Sequence, residues 1–178
     1  MIQTSETFSN GIASCLDTEA VSALVRIIVD LPNDPAGGRK GGFFSVYDTG
    51  ITAMATALFG AIPEEKVGQY FRNSTEKVTR LVNNTAEYRS FQSRNEDKQH
   101  WGGGIYYGHL YCAFSGFPEK LDEALSLIYA MYVIHHDNWD DRIEFKEAVL
   151  REQNDRYPDN EFIKMVVEVF VILPKFWE

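Results

Sequence analysis

Hydrophobic positions along this chain follow two different spacings, and they alternate in blocks. Ala20, Leu24, Ile27, Ile28 and Leu31 recur every three or four residues, which predicts a helix buried along one side. Asp17 or Thr18 can offer a side-chain oxygen to its first free amides. After the loop Asn33-Asp34-Pro35-Ala36-Gly37-Gly38, residues 43–47 and 51–59 read as two strands. They join across Asp48-Thr49-Gly50, where glycine is free to take positive φ. Pro63 then presets a first helical turn, and Glu64 and Glu65 complement its positive dipole end. Val67, Phe71, Ser74, Val78 and Leu81 trace one face of a helix of about five turns that ends at Asn83-Asn84.

A polar stretch, 87–99, leads through Trp101-Gly102-Gly103-Gly104 into a second hairpin, 105–107 and 110–114, turning at Gly108-His109. The glycine run precedes a strand, so its plain reading is a bend or a close backbone approach. Pro118, Glu119 and Asp122 open another helix, with Leu121, Leu125, Ile128 and Tyr132 on its buried face. The pattern breaks at 135–141 and resumes as a polar helix over 143–154. A turn at Tyr157-Pro158-Asp159-Asn160 follows, then a helix carrying Ile163, Val166, Val167, Phe170 and Val171 that Pro174 stops.

Two stretches repeat one unit. Ala57-Leu58-Phe59-Gly60-Ala61-Ile62-Pro63-Glu64-Glu65 recurs as Ala113-Phe114-Ser115-Gly116-Phe117-Pro118-Glu119-Lys120: apolar strand, glycine, proline, acidic helix start. The order is hairpin, helix, hairpin, helix. The fold class this predicts is α/β of the α+β type: an antiparallel sheet of about four or more strands covered by helices, with extra helices at the C-terminus. The 178 residues suit a single domain, with an α/β core over 18–134 and a helical extension over 135–178.

Charge narrows the partners. A net charge of −9 argues against nucleic acid and against an anionic membrane surface, since both demand clustered Lys and Arg. Cys15 and Cys112 form no CxxC pair or zinc spacing, and no basic start runs into an apolar segment. A reducing cytoplasm is therefore expected. The most apolar stretch, 162–173, carries Lys164 and Glu168 and falls short of the roughly 20 residues that span a bilayer.

Motif chemistry is sparse. The chain has no GxSxG, HExxH, Walker sequence or EF-hand loop. His135, His136 and Asp140, with Asp137 and Asp141 beside them, could supply nitrogen and oxygen to a divalent metal. Against that, they also suit a solvated helix junction, and adjacent histidines diverge. His100, Trp101, Tyr107 and His109 are the candidate ligand-binding residues. Histidine ligates haem iron or shuttles protons near neutral pH, and the aromatic hairpin Tyr106, Tyr107, Tyr111 and Phe114 could wall a flat-ligand cleft as well as build a sheet face. Arg89, Arg94 and Lys98 could hold an anionic tail of such a ligand.

Asp48-Thr49-Gly50, Gly103-Gly104-Ile105, Ala113-Phe114-Ser115-Gly116 and Asp122-Glu123-Ala124, in this order of elements, resemble the GlcG-type haem-binding family. These are small α/β proteins that include haem-binding sensor-associated proteins and the C-terminal domain of some corrinoid adenosyltransferases. The resemblance covers about 18–134 and implies the fold and haem as a cofactor. No histidine maps onto a family ligand, so no site residue is carried over. The expected function is a non-catalytic small-molecule-binding or sensor-type domain. The alternative is a protein-interaction or homodimerisation module using the apolar hairpin or the sticky Phe170, Val171, Phe176 and Trp177. A metal-dependent enzyme built on 135–141 ranks third.

Overall fold

A computed structural model describes residues 16–135, 142–173 and 176. Its elements are α1 (Thr18–Val29), β1 (Lys40–Asp48), β2 (Ala53–Ala61), α2 (Val67–Asn83), β3 (Gly104–Tyr107), β4 (Leu110–Ser115), α3 (Glu119–His135), α4 (Arg142–Arg156) and α5 (Phe162–Phe170). Short 3₁₀ turns precede α2 at Glu64–Lys66 and β3 at Ser90–Ser93. The fold is α+β, with four antiparallel strands in the order β2-β1-β4-β3.

The two hairpins meet in the middle of the sheet, where β1 pairs with β4 and sets Phe44 against Phe114, Val46 against Cys112 and Tyr47 against Tyr111. Period-two alternation then sorts the side chains. Phe44, Val46, Ile105, Leu110, Cys112 and Phe114 face the main core with α1 and α3. Tyr111 and Ala113 turn the other way, onto Val78 and Leu81 of α2. A chain of hydroxyls ties that second layer: Ser45 Oγ lies 2.9 Å from both Thr56 Oγ1 and Ser74 Oγ.

The helices obey local rules with some exceptions. Asp17 caps α1, its Oδ1 accepting from the amides of Glu19 and Ala20 at 2.9 Å. In the first hairpin the strands run to 48 and from 53, and it is Thr52, not Gly50, that takes positive φ (54°). Asp48 Oδ1 fixes that turn by accepting from Gly50 N at 2.7 Å. The second hairpin turns as its sequence implies: Gly108 takes φ 59° and His109 stays negative, the sign pattern of a type II′ turn.

In α2, Ser74, Val78 and Leu81 are buried, but Val67 and Phe71 stay exposed, the Phe71 ring meeting Phe43 of β1 edge-on at 5.5 Å. Residues 121–132 of α3 are buried on every side, not along one stripe, since the helix lies between the sheet and α1 and α5. Ile163, Val166, Val167 and Phe170 of α5 are fully buried in that same core. No helix among the described residues is long and apolar enough to cross a membrane.

Candidate functional site

The two glycine–proline junctions of the repeat lie at one end of the sheet, where β2 and β4 stop and β1 and β3 begin. Charge is buried at this end. Lys77 sits on α2 beside Ser74, Val78 and Leu81, and its stem runs inward with them. Its ammonium passes the end of β4, donates to the Phe114 carbonyl at 2.7 Å and reaches Asp122 Oδ2 of α3 at 3.0 Å. Asp122 Oδ1 accepts from the Phe117 amide at 2.9 Å. The pair bridges the two helical layers around the sheet edge, and both side chains are almost wholly removed from water.

Gly103 makes the bridge possible. It takes φ +96°, and a methyl group there would come within 2.5 Å of Asp122 Cβ and 3.1 Å of Lys77 Nζ. The glycine run is thus a close-approach device, as its position before a strand implies. Ser126 Oγ lies behind it, accepting from Phe114 N at 3.1 Å, with its one proton shared between the Asp122 carbonyl at 2.7 Å and the Gly103 carbonyl at 3.1 Å.

Burial raises the Asp122 carboxyl to about 7, against the opposing pull of Lys77, the Phe117 amide and Arg39. Above the pair opens a cleft of about 510 Å³. Arg39, Lys66, Lys77 and Arg94 give it positive walls, Glu119 and Asp122 are its carboxylates, and Tyr70, Trp101 and Phe117 supply aromatic surface. Arg94 is engaged by Glu119 at 3.2 Å and Glu96 at 2.8 Å, and its ring-facing side lies over Trp101 at 5.7 Å. Lys66 donates to Gln69 Oε1 at 3.1 Å and has no ion pair among the described residues. Arg39 is exposed and has no ion pair among the described residues. A smaller hollow of about 300 Å³ adjoins the cleft, sharing Arg39 and Tyr70 and running along Gly37, Gly38 and Gly41.

A second buried network stands apart from the cleft. Arg89 donates to both Glu123 oxygens, at 2.8 and 2.9 Å, and to Asp159 at 2.8 Å. Asn160 Nδ2 also donates to Glu123, at 2.9 Å, and the Arg89 guanidinium lies 5.2 Å from the Tyr157 ring centre. Burial raises the Glu123 carboxyl; Arg89 holds Asp159 below its ordinary value. The expectation that Arg89 holds a ligand's anionic tail is thereby corrected: its donors are committed to two carboxylates, and it clamps the α4–α5 turn to α3.

The four candidate ligand-binding residues do not converge. His100 and Trp101 adjoin. His100 is partly exposed, 3.7 Å from Glu76, in an open groove of about 720 Å³ outside α2 that Arg72, Arg80 and Lys98 also line. Trp101 faces the cleft, and its carbonyl accepts from Arg80 at 2.6 Å. Tyr107 and His109 sit at the opposite end of the sheet, about 17 Å away along β4. There the Tyr107 hydroxyl meets His135 Nε2 at 3.2 Å, and His109 is half-exposed with Asp48 at 4.0 Å. Burial lowers the His135 imidazole and raises the Tyr107 phenol. His136 and Asp140 lie outside the described residues. Among the described ones, no three His, Cys, Asp or Glu side chains cluster as a metal site would require.

Lys77, Arg39, Lys66 and Tyr70 were not singled out by sequence reasoning. One signal was present: Lys77 interrupts the apolar stripe 74-78-81 at a position that helical spacing places inside. No protein-family model, no curated protein and no solved structure matches this chain.

Proposed function

We propose that this protein is a non-catalytic small-molecule-binding domain of the sensor type, and that its ligand is a compact anion with a flat portion, held in the cleft at the glycine–proline end of the sheet. The observation that carries this reading is a reversal of sign. In a chain of net charge −9, four cations line this concavity against two carboxylates; Lys77 is paired with Asp122 and Arg94 with Glu119, which leaves Arg39 and Lys66 in surplus. Unpaired cations in a cleft raise the local concentration of anions and pair with carboxylate or phosphate oxygens, arginine in bidentate fashion. Trp101, Tyr70 and Phe117 offer ring faces to a planar body. The resemblance to the GlcG-type family supports a tetrapyrrole, with its paired carboxylates, as one such ligand.

Thermal-shift and calorimetric titrations with inorganic phosphate, citrate and haem test this. At least one of the three is expected to raise Tm in the wild type, and Arg39→Ala combined with Lys66→Ala to weaken its binding at least tenfold with the unliganded Tm unchanged. Native mass spectrometry of freshly purified protein is expected to show a bound anion of low mass. A chain that binds none of the three and carries no co-purified ligand would overturn the proposal; a Soret band unaffected by the double substitution would move haem out of the cleft.

A further inference from the structure

We propose that two copies of this chain pair through strand β2, edge to edge and antiparallel, to make one continuous eight-stranded sheet. β2 is the outermost strand on its side, and among the described residues nothing pairs with its outer edge. Nine residues long, it presents a full row of alternating amide and carbonyl groups to any extended partner. Edge strands of soluble proteins are usually guarded by lysine, proline, a bulge or an inward charge. Ala53–Ala61 contains no charged residue and no proline, and its pairing with β1 runs without a bulge from Ala53 to Ala61.

The side chains beside this edge point the same way. α2 packs chiefly on β1 and β4. A helix about 10 Å wide covers about two strands spaced near 4.8 Å, so β2 is left bare on that face. Leu58 is 50% exposed, Phe71 45%, Met54 38% and Val67 38%. Phe43, opposite Leu58 in the β1–β2 ladder, joins them by stacking edge-on against Phe71 at 5.5 Å.

The occupant that fits is a second copy. An antiparallel edge is self-complementary about a two-fold axis perpendicular to the sheet; with that axis at Thr56, Met54 of each copy lies across from Leu58 of the other on one face. Two chains of net charge −9 repel, and this uncharged edge is a surface on which they approach without like charges in register.

Sedimentation over about 2–200 μM and hydrogen exchange test the proposal, which is independent of the cleft reading. The wild type is expected to reach twice the 20.3 kDa of one chain. The outward-facing amides of residues 53–61, every second one, are expected to exchange at least tenfold more slowly at the top of that range than at the bottom; the alternate amides already pair with β1. Met54→Lys with Leu58→Lys is expected to stay monomeric with unchanged circular dichroism; if that pair fails to fold, Leu58→Glu alone and the wild-type exchange data decide. A wild type that stays monomeric throughout would overturn the proposal. So would a dimer that survives the lysines, or a monomer whose outward-facing 53–61 amides are protected at every dilution, because another segment of the same chain would then hold the edge.

Discussion

The proton on Asp122 links the stability of this protein to pH. Its carboxyl titrates near 7 in the folded chain, against 3.8 for the unperturbed group, chiefly because burial penalises the anion. Below about pH 4 both folded and unfolded chains hold this proton, and Asp122 contributes nothing to the slope. Between about pH 4 and pH 7 the unfolded chain releases it and the folded chain keeps it, so stability falls as pH rises, by up to about 1.4 kcal/mol per pH unit from this group. Above pH 7 both states are ionised and the slope vanishes. Asp159, lowered by Arg89, acts in the opposite direction at lower pH, so the comparison must isolate Asp122. Asp122→Asn removes the titration but keeps one of the two acceptor oxygens that Phe117 N and Lys77 use, so its stability is lower at every pH and the comparison is of slopes. Urea midpoints between pH 4.5 and 7.5 are expected to fall for the wild type relative to Asp122→Asn; parallel curves would refute the assignment. The same proton changes the cleft, since a neutral Asp122 leaves Glu119 as the only anionic group lining it.

At the scale of elements, the edge strand β3 and the helix α3 approach as closely as they do because Gly103 lies between them. Gly103→Ala combines a left-handed backbone with a methyl group 2.5 Å from Asp122 Cβ. The expected loss is about 2–4 kcal/mol, read from chemical denaturation, because both the conformation and the space are unavailable to alanine. A loss below about 0.5 kcal/mol would mean that β3 can move away without disturbing the Lys77–Asp122 bridge. The hairpins themselves were legible before any coordinates. Aromatic residues concentrate in β1, β3 and β4, and Gly108 marks a turn that only a few residue types make easily. The ends of β1 and β2 were less so, because Ala53, Gly41 and Gly42 carry weak strand preference and pair by virtue of their neighbours. The all-round burial of α3 was hidden for a different reason. Asp122, Glu123 and Ser126 look like a solvated face, and partners more than twenty residues distant in the chain, Lys77, Arg89 and Gly103 among them, make their burial tolerable. Long-range pairing of this kind leaves no local periodicity. Of the candidate site, Trp101 was legible as an aromatic beside a glycine run, whereas Arg39 and Lys66 looked like ordinary surface cations.

Over the whole molecule, the C-terminal third contributes to the one core. α5 places Ile163, Val166, Val167 and Phe170 against α1 and α3 with no exposed surface, and Phe170 meets Tyr132 edge-to-face at 5.5 Å. At about 1.5–3 kcal/mol for each large apolar side chain, these four represent roughly 6–12 kcal/mol of burial. That is the size of the whole stability of an ordinary domain, about 5–15 kcal/mol. Truncation after Pro158 also removes Asp159 and Asn160, and with them two partners of the buried Arg89–Glu123 pair. A chain ending at Pro158 is therefore expected to keep much of its far-ultraviolet dichroism but to lose near-ultraviolet signal and a cooperative melt, and to bind a hydrophobic dye. Self-association of that truncated chain would report exposed α1 and α3 surface, not the native edge of β2, which is why the substitutions at Met54 and Leu58 are the proper probe of pairing. A sharp melt retained by the truncated chain would instead show that residues 18–134 fold as a unit to which α4 and α5 are merely attached.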